Sequence, residues 1–255
     1  MDKDLKKLDI IILLAGAGKR ISGYTKKPKC LIKINHKSIL SKNMLIWKSL
    51  GLRKLNVVLG YKNKLVKEEL KSYENSFKIN KSYNKSFLSK GNTYSLYLGL
   101  KKIHGPVLIF DGDLIYDKKI LSSFLSSAQL NSILVGPGKA GDLECAKVLL
   151  DKKGNVKKIV DKESIKKERY KHLRFLGEAI GIIKLSYNHV KKLKKALKIF
   201  LSKDENLNLN WEKAFNFFLK TNHLNYYFTR SKKWIEIDDK QDLIKAIKLV
   251  KKYNI

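Results

Sequence analysis

The sequence predicts an α/β protein, a mixed and mostly parallel sheet with helices on both faces. Three observations lead there. A continuous apolar run at residues 10–14 stops abruptly at Ala15-Gly16-Ala17-Gly18, as a buried parallel strand feeding a tight turn would. From there to residue 110, strand-length apolar runs alternate with segments of helical period. Beyond residue 130, short strand patterns follow one another with a different rhythm, which extends the sheet with mixed strands.

In chain order, residues 8–14 read as the first strand and 30–34 as a second short apolar run. Residues 38–50 read as a helix that Ser38 can cap, with Ile39, Leu40, Met44, Ile46, Trp47 and Leu50 on its apolar face and Gly51 ending it. A strand at 54–60, a helix at 61–73, a short strand at 77–80, a helix at 92–103 with Asn92 as N-cap, and a strand at 106–110 complete the first half. Strands are expected at 132–135, 146–150, 156–160 and 179–185, then an amphipathic helix at 186–202 with Val190, Leu193, Leu197, Phe200 and Leu201 on one face. A helix at 209–219, strands at 225–228 and 234–237, and a last helix carrying Leu243, Ala246, Ile247 and Val250 follow. With no linker, repeat or low-complexity segment, residues 1–255 read as a single domain, with a first half of about 8–115 and a second of about 116–255.

Composition narrows the classes. The chain has 255 residues, 44% of them hydrophobic, enough for a sizeable core. It has no apolar run of bilayer-spanning length, so no spanning helix is expected, and its opening MDKDLKKLD lacks the apolar stretch of a signal peptide. Cys30 and Cys145 form no CxxC pair and sit among apolar neighbours, so two reduced core thiols are expected, and a cytoplasmic location with them. The net charge of +32 invites a nucleic-acid reading, but the lysines run along nearly the whole chain instead of gathering in one tail, so no specific nucleic-acid partner is expected.

The chemistry starts at the glycine turn. Glycines at a strand end let backbone N–H groups approach a ligand, and Lys19, Arg20 and Lys29 beside it suit phosphate oxygens. A dinucleotide fingerprint fails because Ile21 stands where its third glycine belongs. A Walker A loop fails because Leu13 and Arg20 stand where it needs Gly and Ser or Thr. Asp111 and Asp113 follow one apolar strand, and Asp238 follows another. In a parallel sheet, ligands gather outside the carboxyl ends of strands, so Asp113 and Asp238 can share one hard cation such as Mg²⁺ on a triphosphate. Singly, these aspartates also read as turn residues, or, for Asp238 and Asp239, as helix N-caps.

What remains, L-x-A-G-x-G-x-R followed by P-K-x-L (Gly16, Gly18, Arg20, Pro28, Lys29, Leu31), resembles the signature of sugar-phosphate nucleotidyltransferases. The stretch 84–100 (NKSFLSKGNTYSLYLGL), VLIFDGD, VVLGY, ECAKV, GEAIGI and IEID are similar to the small bacterial cytidylyltransferases of phosphocholine and 2-aminoethylphosphonate. The resemblance runs from about residue 8 to the C-terminus. It implies a Rossmann-like, GT-A-like nucleotidyltransferase domain, CTP as co-substrate and Mg²⁺ as cofactor. By position it places Leu14, Ala15, Gly16, Ala17, Gly18, Lys19, Arg20, Lys29, Tyr61, Asn92, Ser95 and Asp111 on the nucleotide. Lys29, Arg20 and Asp113 are then catalytic, Asp113 and Asp238 hold the metal, and Glu144, Lys147 and Glu178 bind the acceptor. The phosphocholine members carry an aromatic residue after the glutamate matched by Glu144. Here it is Cys145, which counts against a trimethylammonium unless Tyr170, Trp211 or Trp234 supplies the aromatic face instead. Small-molecule partners and, at most, a homodimer are expected. The competing readings are a sugar-1-phosphate nucleotidyltransferase using UTP or dTTP, and a non-catalytic nucleotide- or nucleic-acid-binding protein.

Overall fold

A computed structural model describes residues 7–255, and the first six residues of the opening segment discussed above lie outside the described ones. Four strands form the parallel heart of a nine-stranded sheet: β1 (Asp9–Leu14) at the centre, β4 (Lys54–Leu59) and β5 (Lys78–Tyr83) outward on one side, and β6 (Val107–Asp111) on the other. The chain leaves β1 in one direction for β4 and returns to the opposite side for β6. A crevice therefore opens at the carboxyl ends of β1 and β6, the position where open α/β sheets take ligands.

Beyond β6 the sheet turns antiparallel. The long strand β11 (Arg174–Leu185) pairs β6 through residues 182–185 and β9 (Lys147–Leu150) through residues 174–178. β8 (Ser132–Gly136) and β10 (Val156–Val160) extend this half, and β12 (Asn225–Phe228) lies parallel to β8. A separate two-stranded ribbon joins β7 (Leu114–Tyr116) to β13 (Trp234–Glu236), and a small hairpin joins β2 (Lys33–Ile34) to β3 (Lys37–Ser38).

Strand alternation divides the core between two faces. On β1, Ile11 and Leu13 join the cluster under α3 (Asn92–Lys101), α5 (Tyr187–Phe200) and α6 (Trp211–Phe218). Ile10, Ile12 and Leu14 join the cluster under α1 (Ile39–Ser49), α2 (Asn63–Lys71) and α4 (Lys118–Ser126). α7 (Lys240–Tyr253) packs with the hairpin through Leu243, Ala246 and Val250. Ile247, expected on that face, is 45% exposed. Ser38 and Ser186 cap α1 and α5 as expected. Asn92 does not cap its own helix, because Gly91 holds that position. Both cysteines are buried and free. No helix among the described residues is long and apolar enough to cross a membrane.

The sequence reading places no element at residues 114–131, yet β7 and α4 lie there. Asp117 caps α4, and Ile120, Leu121 and Phe124 are buried between serines and lysines that dilute the apolar signal. β5 runs to Tyr83, past the expected residue 80, because it is an edge strand whose K-I-N-K-S-Y sequence carries little apolar pattern. β11 starts five residues before the expected 179, where Gly177 and the paired bulges interrupt the alternation.

Candidate active site

The crevice at the ends of β1 and β6 is a cavity of about 470 Å³, within the size range of small-molecule sites. Leu14, Ala15, Gly16 and Gly18 form its floor, continuing directly from β1. Gly18 has φ 61 and caps the 3-10 turn Lys19–Ile21. A Cβ there would also meet Lys29 Cγ at 2.9 Å, so Gly18 serves both the left-handed turn and the passage of the Lys29 stem. Pro28 precedes the 3-10 turn Lys29–Leu31 and starts that side chain toward the cavity.

The lysine tip lies between two carboxylates. Lys29 Nζ donates to Asp113 Oδ2 at 2.8 Å and to Asp238 Oδ1 at 2.6 Å. Arg20 reaches the other oxygen of Asp238 at 2.5 Å and donates to Glu144 Oε2 at 2.7 Å. The β7–β13 ribbon brings these distant residues together: Glu236 pairs with Leu114, and Ile237 N–H donates to Asp113 O at 3.1 Å. Asp239 caps α7 by accepting from Gln241 and Asp242 N–H, which leaves Asp238 free to face the cavity. The two aspartates at this junction thus divide the cap and the site between them.

Electrostatics follow from this geometry. Burial disfavours a charged Lys29, but Asp113 and Asp238 overcome it and hold the ammonium well above its ordinary range. Burial pushes Asp238 up, but Lys29 and Arg20 outweigh it and the carboxyl lies below its ordinary value. Asp111 is pushed up to about 8 by burial and by Asp113, against its bond from Trp211 Nε1 at 3.1 Å. Glu236 is driven well up by burial, with Asp113 and Asp111 adding to it. Oxygens of Asp113, Glu236 and Asp238 lie within 4.8 Å of one another, a hard-donor set that fits a divalent cation such as Mg²⁺. The Lys29 ammonium already shows that positive charge is accommodated between two of them.

Of the expected nucleotide residues, Leu14, Ala15, Gly16, Gly18, Lys19, Arg20, Lys29, Asn92, Ser95 and Asp111 line the cavity, with Asp113, Asp238 and Glu144. Asn92 Oδ1 accepts from Trp211 N–H at 2.7 Å and ties α3 to α6. Ser95 Oγ accepts from Asn84 Nδ2 at 3.0 Å, and Asn84 in turn holds Lys90 O and Ser86 N–H. Ala17 and Tyr61 are not part of the lining. Tyr61 instead braces the turn from behind, with its N–H on Ala15 O and its hydroxyl on Lys26 O.

Lys147 and Glu178, expected on the acceptor, also lie off the lining, and the reason is strand alternation. They pair across β9 and β11, while their neighbours Ala146 and Ala179 face the cavity. Lys147 is fully buried with Nζ on Cys145 O at 3.0 Å. Burial and Asp142 push Glu178 up to about 7.

The sequence reading missed Glu236 and most of the far wall of the cavity, where Asp161, Lys162, Asn210 and Glu212 gather beside Trp211, which it offered only as an alternative aromatic face. For Glu236 a signal existed: in W-I-E-I-D, a period of two puts it on the same side as Asp238. The far wall comes from a loop after β10 and the start of α6, which no local pattern links.

The family model described as Nucleotidyl transferase matches residues 9–252. A CTP:phosphoglutamine cytidylyltransferase of Campylobacter jejuni is 37% identical over 81 residues, 31% of this chain and 32% of that protein. The chain spans 32% to 42% of the length of the curated relatives it matches. Among solved structures, an inositol-1-phosphate CTP transferase from T. maritima superposes with a TM-score of 0.74 at 20% identity, covering 97% of this chain and 96% of that one. A UDP-glucose pyrophosphorylase complexed with UDP-glucose superposes with a TM-score of 0.73 at 17% identity, covering 96% and 98%.

Proposed function

Because the chain belongs to the nucleotidyl transferase family, we propose that it transfers CMP from CTP to a small phosphorylated or phosphonylated head group, releasing pyrophosphate. The observation that carries this reading is the convergence of Lys29, Arg20, Asp113 and Asp238 beside the glycine turn at the β1/β6 crevice.

The turn at Ala15–Gly18 receives the nucleotide and its phosphates. An acceptor oxygen attacks the α-phosphorus, a new P–O bond forms, and the bond to pyrophosphate breaks. The acceptor phosphate is already anionic, so no general base is required. Asp113 and Asp238, with Glu236 beside them, would hold Mg²⁺, which would supply charge neutralisation at the phosphates. Lys29 and Arg20 then move their charge from these carboxylates to phosphate oxygens, where charge develops in the transition state. Asn92 and Ser95 fix the loop and helix starts around the base. Glu144 stands at the acceptor side of the mouth, and Lys147 and Glu178 shape the wall behind Ala146 and Ala179.

We read residues 1–255 as one catalytic domain, with nucleotide bound mainly by residues 8–115 and acceptor by 116–255. The protein acts in the cytoplasm on small molecules, as a monomer or homodimer, without a specific nucleic acid. The partial match to the Campylobacter protein and the residues 84–100 support CTP. A second reading, a sugar-1-phosphate nucleotidyltransferase using UTP or dTTP, draws support from the fold shared with the UDP-glucose pyrophosphorylase. Pyrophosphate release from CTP, UTP and dTTP, each with 2-aminoethylphosphonate, phosphocholine and glucose-1-phosphate, separates the two. Turnover only with CTP and a head-group phosphate or phosphonate is expected. Turnover only with glucose-1-phosphate and UTP or dTTP overturns the first reading.

A further inference from the structure

Away from the crevice, a shallow basin of about 550 Å³ gathers cations from two parts of the chain. Lys152 and Lys153 stand at the tip of the β9–β10 hairpin, and Lys171, His172 and Arg174 come from the segment that enters β11. The sheet brings the two parts together, because Arg174 pairs with Leu150 at the end of β9. The basin shares no lining residue with the crevice. β10 leads from the hairpin to Asp161 and Lys162 on the crevice wall, and its five residues span roughly 16 Å.

Both parts are held by the chain itself. Asp151 Oδ1 accepts from Lys153 N–H at 2.9 Å and Asn155 N–H at 3.0 Å, and Gly154, at φ 82, closes the turn. On the other side, Tyr170 is buried against Leu149 and Val160 and anchors the 3-10 turn Glu168–Tyr170 directly before Lys171. Lys171 pairs with Glu168, but among the described residues no ion pair holds Lys152, Lys153 or Arg174. Lys152, Lys153, Lys171 and Arg174 therefore line one concavity, and its single carboxylate, Asp151, is already used by the turn.

Like charges gathered on a concave surface raise the local potential, and a compact multivalent anion lowers it for all of them at once. The class of anion follows from the rest of the lining. No tryptophan, tyrosine or phenylalanine lines the basin, so a base gains no stacking there. None of the exposed large apolar side chains lines it either, so a bilayer gains no insertion. Recognition is left to charge and to the guanidinium fork of Arg174, which suits phosphate oxygens. We propose that the basin is a second anion site, separate from the crevice, which takes a compact polyphosphate group, free or as the tail of a nucleotide, and reads it by charge alone. The assignment goes beyond the transferase reading and stands without it.

The test follows amide hydrogen exchange across titrations with tripolyphosphate and with ATP, at about 150 mM salt so that distant charges are screened. Protection at residues 151–155 and 170–175 reports the basin, and protection at 15–29 reports the crevice. Three proteins are compared: the parent, Lys152→Gln/Lys153→Gln/Arg174→Gln, and Lys191→Gln/Lys195→Gln/Lys198→Gln on α5, which removes the same charge from another surface. The parent is expected to show protection at the basin, with midpoints for tripolyphosphate and ATP within about threefold of each other, because no base is read. The basin variant should raise that midpoint by about tenfold or more, as the loss of several charge-assisted contacts implies, and the α5 variant by less than about twofold. Lys152→Glu alone, at the exposed hairpin tip, should shift the midpoint in the same direction and guards against a fold defect in the triple variant. Protection confined to the crevice overturns the site. An equal shift in both triple variants overturns it too, because the general positive field would then explain the binding. A preference for ATP of about tenfold or more would overturn recognition by charge alone.

Discussion

The two ends of the cavity handle charge differently. At the end built on the glycine turn, ion pairs from within the chain hold the carboxylates: Lys29 bridges Asp113 and Asp238, and Arg20 bridges Asp238 and Glu144. On the far wall, Asp161, Lys162 and Glu212 gather, and Glu212 Oε2 has no hydrogen-bond partner among the described residues. The first end comes from loops that follow parallel strands, the second from α6 and the antiparallel half. The contrast teaches that one end satisfies its carboxylates with cations from within the chain, while the far wall keeps a buried carboxyl oxygen without a donor among the described residues.

The sharpest way to break this contrast is to remove a carboxylate from the balanced end. Asp113→Asn or Asp238→Asn should lower turnover by at least about 100-fold, since metal-borne charge stabilisation is worth several kcal/mol. Circular dichroism should show the fold retained, and a folded variant with near-parental turnover would sink the metal role. Next in size is Lys29→Ala, expected to lower kcat by about tenfold or more while changing the KM for CTP less, because the ammonium acts on developing charge. The same variant leaves two carboxylates facing each other without their lysine. Its melting temperature should fall in chelator and recover with millimolar Mg²⁺. A pure KM effect would reduce Lys29 to ground-state binding.

How much of this was legible in the sequence depends on which half is considered. β1, its glycine turn, Arg20, Lys29 and the aspartates after β6 and β13 share short, ordered spacings, and the residues expected there do converge. Glu236 lies two positions from Asp238 and was open to the same reading. The acceptor end was not legible because its residues are adjacent only through tertiary contacts: Asn92 with Trp211, Asn210 with Asp161, Trp211 with Asp111. Asn92 looked like the cap of its own helix and instead fastens another. Lys147 looked like one surface lysine among many or an acceptor contact, and it is neither on the surface nor on the cavity lining.

Arg20 sharpens the comparison at smaller scale. Its side chain is 41% exposed, so solvent screens its pairs with Glu144 and Asp238. Arg20→Ala should raise the KM for CTP by about three- to tenfold, a loss typical of one charge-assisted contact, with a smaller change in kcat. Steady-state kinetics that place the whole effect in kcat would shift Arg20 to the reacting phosphorus.

The smallest effect concerns Glu178. Burial and Asp142 push its carboxyl from an ordinary 4.5 to about 7. Between those values the folded chain holds a proton that the unfolded chain has released, so stability falls as pH rises from about 4.5 to about 7 and this contribution is flat above. Melting temperatures measured across that window should decline less steeply for Glu178→Gln than for the parent. Parallel curves would show that Glu178 titrates normally.

The lysine bridge also bears on the protein before any substrate reaches it. Where folding draws its free energy from a metal, a chelator unfolds the chain. Here Lys29 supplies the positive charge that Asp113 and Asp238 need, from within the chain. Newly made protein therefore needs no ion at these carboxylates to complete its fold, and if a metal serves the proposed reaction, stripping it would silence the protein without exposing its core.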